Sequence, residues 1–342
     1  MIDDVIIVGA GFSAYCVASI LGEGSSIKVI SPSLSKFPVN FKRVKDLEFN
    51  RILSNKYQSY SNLSWNIGKN RLVDRLGLGG NSTIWGAALN LDHEIKNFRR
   101  LSGFEIVSMN TIAGIRSNKN LGVMIDSDKK LYSVNNYFLN NKYHINGFAI
   151  NCKIDGGIVH LNYFDGLGNK SAKSKKLFLC LSVPQTLGFL ISSDLIPHDS
   201  LIKLSEHKMD YRLHGMQNYP ERDCVVSYKG CLALARALGL RSTNSSFLDL
   251  GPYCIDQIFT DSLQEMSYKL DVKSPKIESL DSSSSFGKSI HYFGMRINEV
   301  NLNSYLNSIS PNLMAFGHSS IMPIMPGPIA NDILIDVIEK LA

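Results

Sequence analysis

The stretch Val5-Ile6-Ile7-Val8-Gly9-Ala10-Gly11-Phe12-Ser13-Ala14 decides the fold. Its first four residues are β-branched and apolar, a run suited to a short strand buried on both faces. Val17, Ala18, Ile20 and Leu21 follow at helical spacing, and Ile27-Lys28-Val29-Ile30 is a second β-branched run. Strand, glycine turn, helix and strand in succession predict a parallel βαβ unit whose turn reads G-x-G-x-x-A. Gly9 permits the tight turn, Gly11 lets backbone approach a pyrophosphate, and Ala14 is small enough for close helix–strand packing. The helix N-terminus adds N–H groups and a positive dipole end. These residues, with Phe12 and Ser13, are therefore expected to hold a dinucleotide. An Asp or Glu usually ends the second strand and binds the ribose; here Ser31 stands there and is the expected ribose contact.

Composition narrows the class. The 342 residues are 44% hydrophobic and 19% charged, enough for a large core and against global disorder. Lys+Arg is 36 against Asp+Glu 30, and the surplus of +6 is spread along the chain, so no nucleic-acid footprint is expected. No apolar stretch reaches the ~20 residues of a membrane span. Met1-Ile2-Asp3-Asp4 is acidic where a signal peptide is basic, so a cytoplasmic location is expected. The six cysteines, Cys16, Cys152, Cys180, Cys224, Cys231 and Cys254, form no C-x-x-C pair and read as reduced and mostly buried, with no metal site.

Further along, Phe148-Ala149-Ile150, Gly157 to Leu161 and Lys176 to Leu181 read as strands joined by turns at Asp155-Gly156-Gly157 and Asp165 to Gly168. Ser182 and Pro184 suit the start of a helix. Cys224 to Tyr228 reads as a strand, and Ser262 to Leu270 as helix-like. Ile333, Leu334, Val337, Ile338 and Leu341 mark an amphipathic helix at the C-terminal end. The lysines at 170, 173, 175 and 176 read as a solvated strand face.

Three more segments carry a resemblance. They are Gly77-Leu78-Gly79-Gly80-Asn81-Ser82-Thr83-Ile84-Trp85-Gly86, then Ser289-Ile290-His291-Tyr292-Phe293-Gly294, then Asn312 through Gly317-His318-Ser319-Ser320-Ile321-Met322-Pro323 to Asn331. In this order, after the N-terminal glycine turn, they resemble the glucose-methanol-choline (GMC) family of FAD-dependent oxidoreductases. The resemblance implies an α/β fold: an FAD-binding Rossmann-like parallel sheet with a three-stranded meander, plus a smaller α+β substrate domain. The expected division gives 1–110, 145–195 and 286–342 to a discontinuous FAD domain, and 111–144 and 196–285 to the substrate domain.

The same resemblance implies oxidation of a CH–OH group of an alcohol or sugar-like small molecule, with hydride transfer to flavin N5. Oxygen or another acceptor would then reoxidise the flavin. His291 is the implied general base, since a neutral imidazole takes a hydroxyl proton at neutral pH. Asn331 is its implied partner on the substrate oxygen; a bare capping role is the alternative. Gly79, Gly80, Asn81, Ser82 and Trp85 are implied flavin contacts, and Ala149, Gly317, His318 and Ser319 further cofactor contacts. His318 is the rival base. Members with covalent flavin carry a His just before the Trp; Ile84 stands there, which implies non-covalent FAD. Two alternatives remain: a flavin-dependent mutase resembling UDP-galactopyranose mutase, and a non-catalytic flavin-binding protein.

Overall fold

The computed structural model describes residues 2–32, 62–67, 70–75, 78, 88–93, 95–111, 115–127, 132, 134–139, 141–197, 199–213, 220–229, 254–271, 276–279, 292–323 and 330–342. The chain opens with β1 (Asp3–Val8), α1 (Phe12–Leu21) and β2 (Ile27–Ser31), as the glycine pattern requires. β1 and β2 are parallel, with Val5 beside Ile27 and Val8 beside Ile30. A hairpin of β3 (Asn62–Ile67) and β4 (Asn70–Arg75) follows. Then come β5 (Ala88–Asn90), β6 (Glu105–Ser108), β7 (Ile115–Ser117) and β8 (Leu121–Ile125), of which β5, β8 and β6 form a small antiparallel sheet.

After the short α2 (Asn135–Leu139), β9 (His144–Asn146) adds to β2 in parallel. The meander is β10 (Phe148–Asp155), β11 (Ile158–Phe164) and β12 (Asn169–Leu179). Its turns fall where Asp155-Gly156-Gly157 and Asp165 to Gly168 placed them. The length of β12 joins two layers. Its first half pairs antiparallel with β11, and its second half pairs parallel with β1. α3 (Val183–Ser192) starts after Ser182 with Pro184 in its first turn, although the Ser182 side chain makes no capping bond.

The remaining elements are β13 (Leu201–Leu213), β14 (Cys224–Lys229), β15 (Cys254–Asp271), β16 (Lys276–Ser279), β17 (Tyr292–Ile297), β18 (Val300–Asn301), α4 (Leu302–Ile309), β19 (Leu313–Ala315) and α5 (Ala330–Leu341). Among the described residues, a second sheet runs β18-β17-β13-β15-β14-β7, with β16 on β15. The helix expected at Ser262 to Leu270 is part of β15 instead. Met266, Tyr268 and Leu270 are buried while Ser262 and Lys269 face solvent, a period of two that belongs to a strand. The expected stretch 111–144 is shared: β7 joins the second sheet, whereas β8 packs with α1 and the small sheet.

Alternation in β1 explains how one strand serves two cores. Val5 and Ile7 point to a layer with α1 and α5, while Ile6 and Val8 point to a layer with α3, α4 and the second sheet. Each such side chain contributes roughly 1.5–3 kcal/mol on burial. Backbones approach closely at Gly9. Its φ is +101°, and a β-carbon there would lie 2.5 Å from the Cys180 carbonyl oxygen. Gly9→Ala is therefore expected to destabilise the fold by about 3 kcal/mol, from combined backbone strain and overpacking. Chemical denaturation of the purified protein measures it, and a midpoint equal to wild type would contradict the packing described.

Candidate functional site

Five parallel strands, in the order β19-β12-β1-β2-β9, all end on one edge of the first sheet. In open α/β sheets a ligand binds outside this carboxyl edge. Here four of the five strands are followed by a residue still tied to the neighbouring strand. Gly9 N–H donates to Ile30 O at 2.9 Å, Cys180 N–H to Val8 O at 2.9 Å, Phe316 N–H to Leu179 O at 2.9 Å, and Gly147 N–H to Ser31 O at 3.2 Å. Segments remote in sequence thereby converge on the start of α1.

At that start, Gly11 is the N-cap, and its carbonyl accepts the first helical bond from Tyr15 N–H at 3.0 Å. No side chain caps α1, and its first turn holds no acid. Phe12, Ser13 and Ala14 form that turn and are buried. Gly11 has a φ of −87°, open to any residue, so the turn itself does not call for glycine there. At Gly317 the demand comes from the fold: φ is +79°, and a β-carbon would sit 2.8 Å from Ser13 Oγ. The N-terminal glycine turn and the Gly317-His318-Ser319 segment, both expected at the cofactor, are thus brought into contact. The Ser319 hydroxyl is fully buried there, with no hydrogen-bond partner among the described residues.

The second sheet attaches at the same place. Gly294 N–H donates to His318 O and Met295 N–H to Ser319 O, both at 3.0 Å. Gly294 has a φ of +58°, and a β-carbon would meet Met322 Sδ at 2.1 Å. These bonds seat β17, the strand that follows His291, against the 317–319 turn. The His318 ring lies near-parallel to Phe293, with centroids 6.5 Å apart. Removal from water pushes its pKa down to about 4, so the imidazole is neutral at physiological pH.

Asn331 lies inside the first turn of α5, whose first residue is Ala330. Its Oδ1 accepts Asn90 N–H at 2.8 Å, and its Nδ2 donates to the carbonyls of Asn90 and His93. Both donors and the carbonyl are therefore spent on the backbone of Asn90, in β5, and of His93 just after it, an arrangement different from the free substrate donor expected of it. Farther along α5, Lys340 pairs with Asp336 at 2.5 Å and donates to Ala315 O and Ser320 Oγ at 3.2 Å each. Its ammonium also stands 5.4 Å from the Phe316 ring centre. Burial pushes the Asp336 carboxyl above its usual range, against the pull of Lys340.

At the end of β2, Ser31 is buried and lies beside Asn146 of β9. The Ser31 carbonyl also meets His144 Nε2 at 2.9 Å. Ala149, partly buried, follows at the start of β10. Gly79, Gly80, Asn81, Ser82, Trp85 and His291 lie outside the described residues. The Asn331–Asn90–His93 clamp carried no sequence signal, because its partners are about 240 residues apart. The Asp336–Lys340 pair did carry one, the i,i+4 spacing.

No family model matches the chain, and no curated protein matches it. The solved structure of pyridoxine 4-oxidase from Mesorbium loti aligns with a TM-score of 0.60 over 98% of this chain and 97% of that one, at 12% identity. The chain thus shares the fold of that oxidase over nearly its whole length. OxyS anhydrotetracycline hydroxylase from Streptomyces rimosus aligns at 0.36, with 12% identity, over 98% and 60% of the two chains. A flavoprotein/dehydrogenase from Cytophaga hutchinsonii aligns at 0.38, with 9% identity, over 99% and 76%. No described helix is long and apolar enough to cross a membrane.

The His318 shift has a sign that can be tested. Between pH 6.5 and about 4 the unfolded chain binds a proton that the folded chain refuses, so stability is full above pH 6.5 and falls as the pH drops towards 4. His318→Asn should remove this dependence, lowering the stability change between pH 6.5 and 4 by about 3 kcal/mol in total. Urea melts of both proteins across this range measure it; parallel slopes would refute the assignment.

Proposed function

We propose that this chain is an FAD-dependent oxidoreductase that binds its flavin non-covalently and oxidises a CH–OH group of a small molecule. The observation that carries the reading is the contact of Gly317 with Ser13, which seats the Gly317-His318-Ser319 turn against the N-terminal glycine turn. A fold shared with an oxidase supports it. The residues present fit the group: an uncapped helix start without acids, and a buried hydroxyl at Ser319 with no described partner.

In this reading Gly9, Gly11, Phe12, Ser13 and Ala14 hold the pyrophosphate, and Gly11 lacks a side chain to leave room for it. Ser31 bonds the ribose. Ala149, Gly317, His318 and Ser319 line the cofactor, with Gly79, Gly80, Asn81, Ser82 and Trp85 at the ring. Bound FAD supplies a hydride acceptor at N5. His291 takes the hydroxyl proton as the hydride leaves. His318, neutral and desolvated, is suited to a hydrogen bond and poorly suited to holding a proton. Asn331 acts by fixing the start of α5, whose dipole favours negative charge nearby. β7 and residues 196–285 supply the substrate side.

Anaerobic stopped-flow reduction of the bound flavin by candidate alcohols tests the chemistry. His291→Ala should keep FAD and slow reduction by on the order of 10²–10⁴. Asn331→Ala should slow it less and lower stability by about 2–4 kcal/mol, since three buried backbone groups lose their partner. A protein whose flavin no alcohol bleaches, but which acts once pre-reduced, would be a mutase instead.

The mode of attachment has its own test. With Ile84 before Trp85, acid precipitation should release all the flavin, identified as FAD by chromatography. Flavin retained on the pellet would contradict non-covalent binding.

A further inference from the structure

The outer face of the β10–β11–β12 meander has no role in the reading above. Phe148 and Phe164 are directly paired across β10 and β11, so their rings share one face, and they are 41% and 44% exposed. Three residues on, in the turn to β12, Leu167 is 95% exposed. Three large apolar side chains thus stand in water at one end of the meander.

The turn that presents Leu167 is built. The Asp165 carboxylate accepts Leu167 N–H at 2.8 Å and Gly168 N–H at 2.9 Å, and Asp165 N–H donates to Gly168 O at 3.2 Å. Those bonds hold the Asp165 carboxyl below its usual range. Gly166 takes a φ of +94° to close the turn. A turn secured in this way with a leucine at its apex does not hide that leucine; it displays it.

The acid at this tip, Asp165, is engaged by its own turn and by Lys170, and the charge behind it on the outer face is basic. His160 stands opposite both Lys153 and Lys173 in one cross-strand row. Positions 160 and 164 of β11 share a face, so this basic row lies behind the aromatic pair. Lys175 is paired with Asp4 and Lys170 with Asp165, but neither Lys153 nor Lys173 has a carboxylate partner among the described residues. Asp155 lies at the opposite end of the meander from Phe148. At roughly 3.3 Å per residue the basic row stands about 13 Å behind Phe164. An apolar tip set 5–10 Å into the headgroup boundary of a bilayer would leave the lysines within about a Debye length of the lipid phosphates.

We propose that this face docks on an anionic lipid surface: Phe148, Phe164 and Leu167 enter the headgroup boundary while Lys153 and Lys173 meet the phosphates. A second copy of the chain fits the face less well. A stable dimer buries about 800 Å² per partner, far more than three side chains offer, and a two-fold contact would bring the two basic rows together. The proposal does not rest on the flavin reading.

Sedimentation of the full chain with phosphatidylcholine vesicles, with and without about 30% phosphatidylglycerol, tests it at near-physiological salt. The protein should pellet with the anionic vesicles and bind neutral ones at least about tenfold more weakly. Phe164→Ser/Leu167→Ser and Lys153→Glu/Lys173→Glu should each lower the partition coefficient by about tenfold or more. All altered side chains are exposed, so melting temperatures should match wild type; Leu167→Ser alone serves if a double variant fails to fold. Three results would each overturn the proposal. One is no binding to anionic vesicles. Another is binding unchanged in both variants. The last is a dimer, lost in Phe164→Ser/Leu167→Ser, without vesicle binding, which would assign the face to a second copy.

Discussion

A β-carbon on Gly9 would come within 2.5 Å of the Cys180 carbonyl oxygen, and one on Gly317 within 2.8 Å of the Ser13 hydroxyl. These two contacts set how closely the ends of β1, β12 and β19 gather around the first turn of α1. Both glycines also have positive φ, so any other residue would add backbone strain to a steric clash. The contact of the α1 start with the 317–319 turn depends on this closeness. Were the strand ends a side chain farther apart, the helix start and the 317–319 turn would no longer touch.

Close backbones alone do not hold remote segments in register, and polar ties complete the edge. Asn331 bonds the backbone of Asn90 and His93 through all its amide groups in a largely buried setting, where each unmade bond would cost about 1–3 kcal/mol. Lys340 and Asp336 bring a charge pair to the segment after β19, with the ammonium also bonded to Ala315 O and Ser320 Oγ. β17 contributes two backbone bonds to His318 and Ser319. The second sheet is therefore fastened to the first within three residues of His291.

This fastening bears on the chemistry. His318 follows β19, and its environment limits what it can do. His318 is held by the packed turn, stacked on Phe293 and kept neutral by desolvation. A base must instead be free to gain and lose a proton near neutral pH. Burial likewise pushes the thiols of Cys16 and Cys180 up, so the cysteines nearest the glycine turn are inert neutral packing groups.

Local features were legible in the sequence by themselves. The β-branched runs, the glycine turn, the meander turns and the C-terminal amphipathic helix all appear where period and turn chemistry placed them, because each depends on neighbours a few residues away. The strand at Ser262 to Leu270 was misread as helix-like, although Met266, Tyr268 and Leu270 alternate; a polar, half-exposed strand gives a weak period-two signal until its partner β13 is known. For Gly317 and Gly294 the sequence showed glycine, but the reason lies in Ser13 and Met322, hundreds of residues away in one case and tens in the other. Asn331 shows the limit most clearly. Its position beside the last helix was readable, but whether its amide faces a substrate or a backbone depends on β5, some 240 residues earlier. Only the packing of the chain brings those atoms within hydrogen-bond reach, and a hydrogen bond is decided by distance and direction, which residue order does not contain.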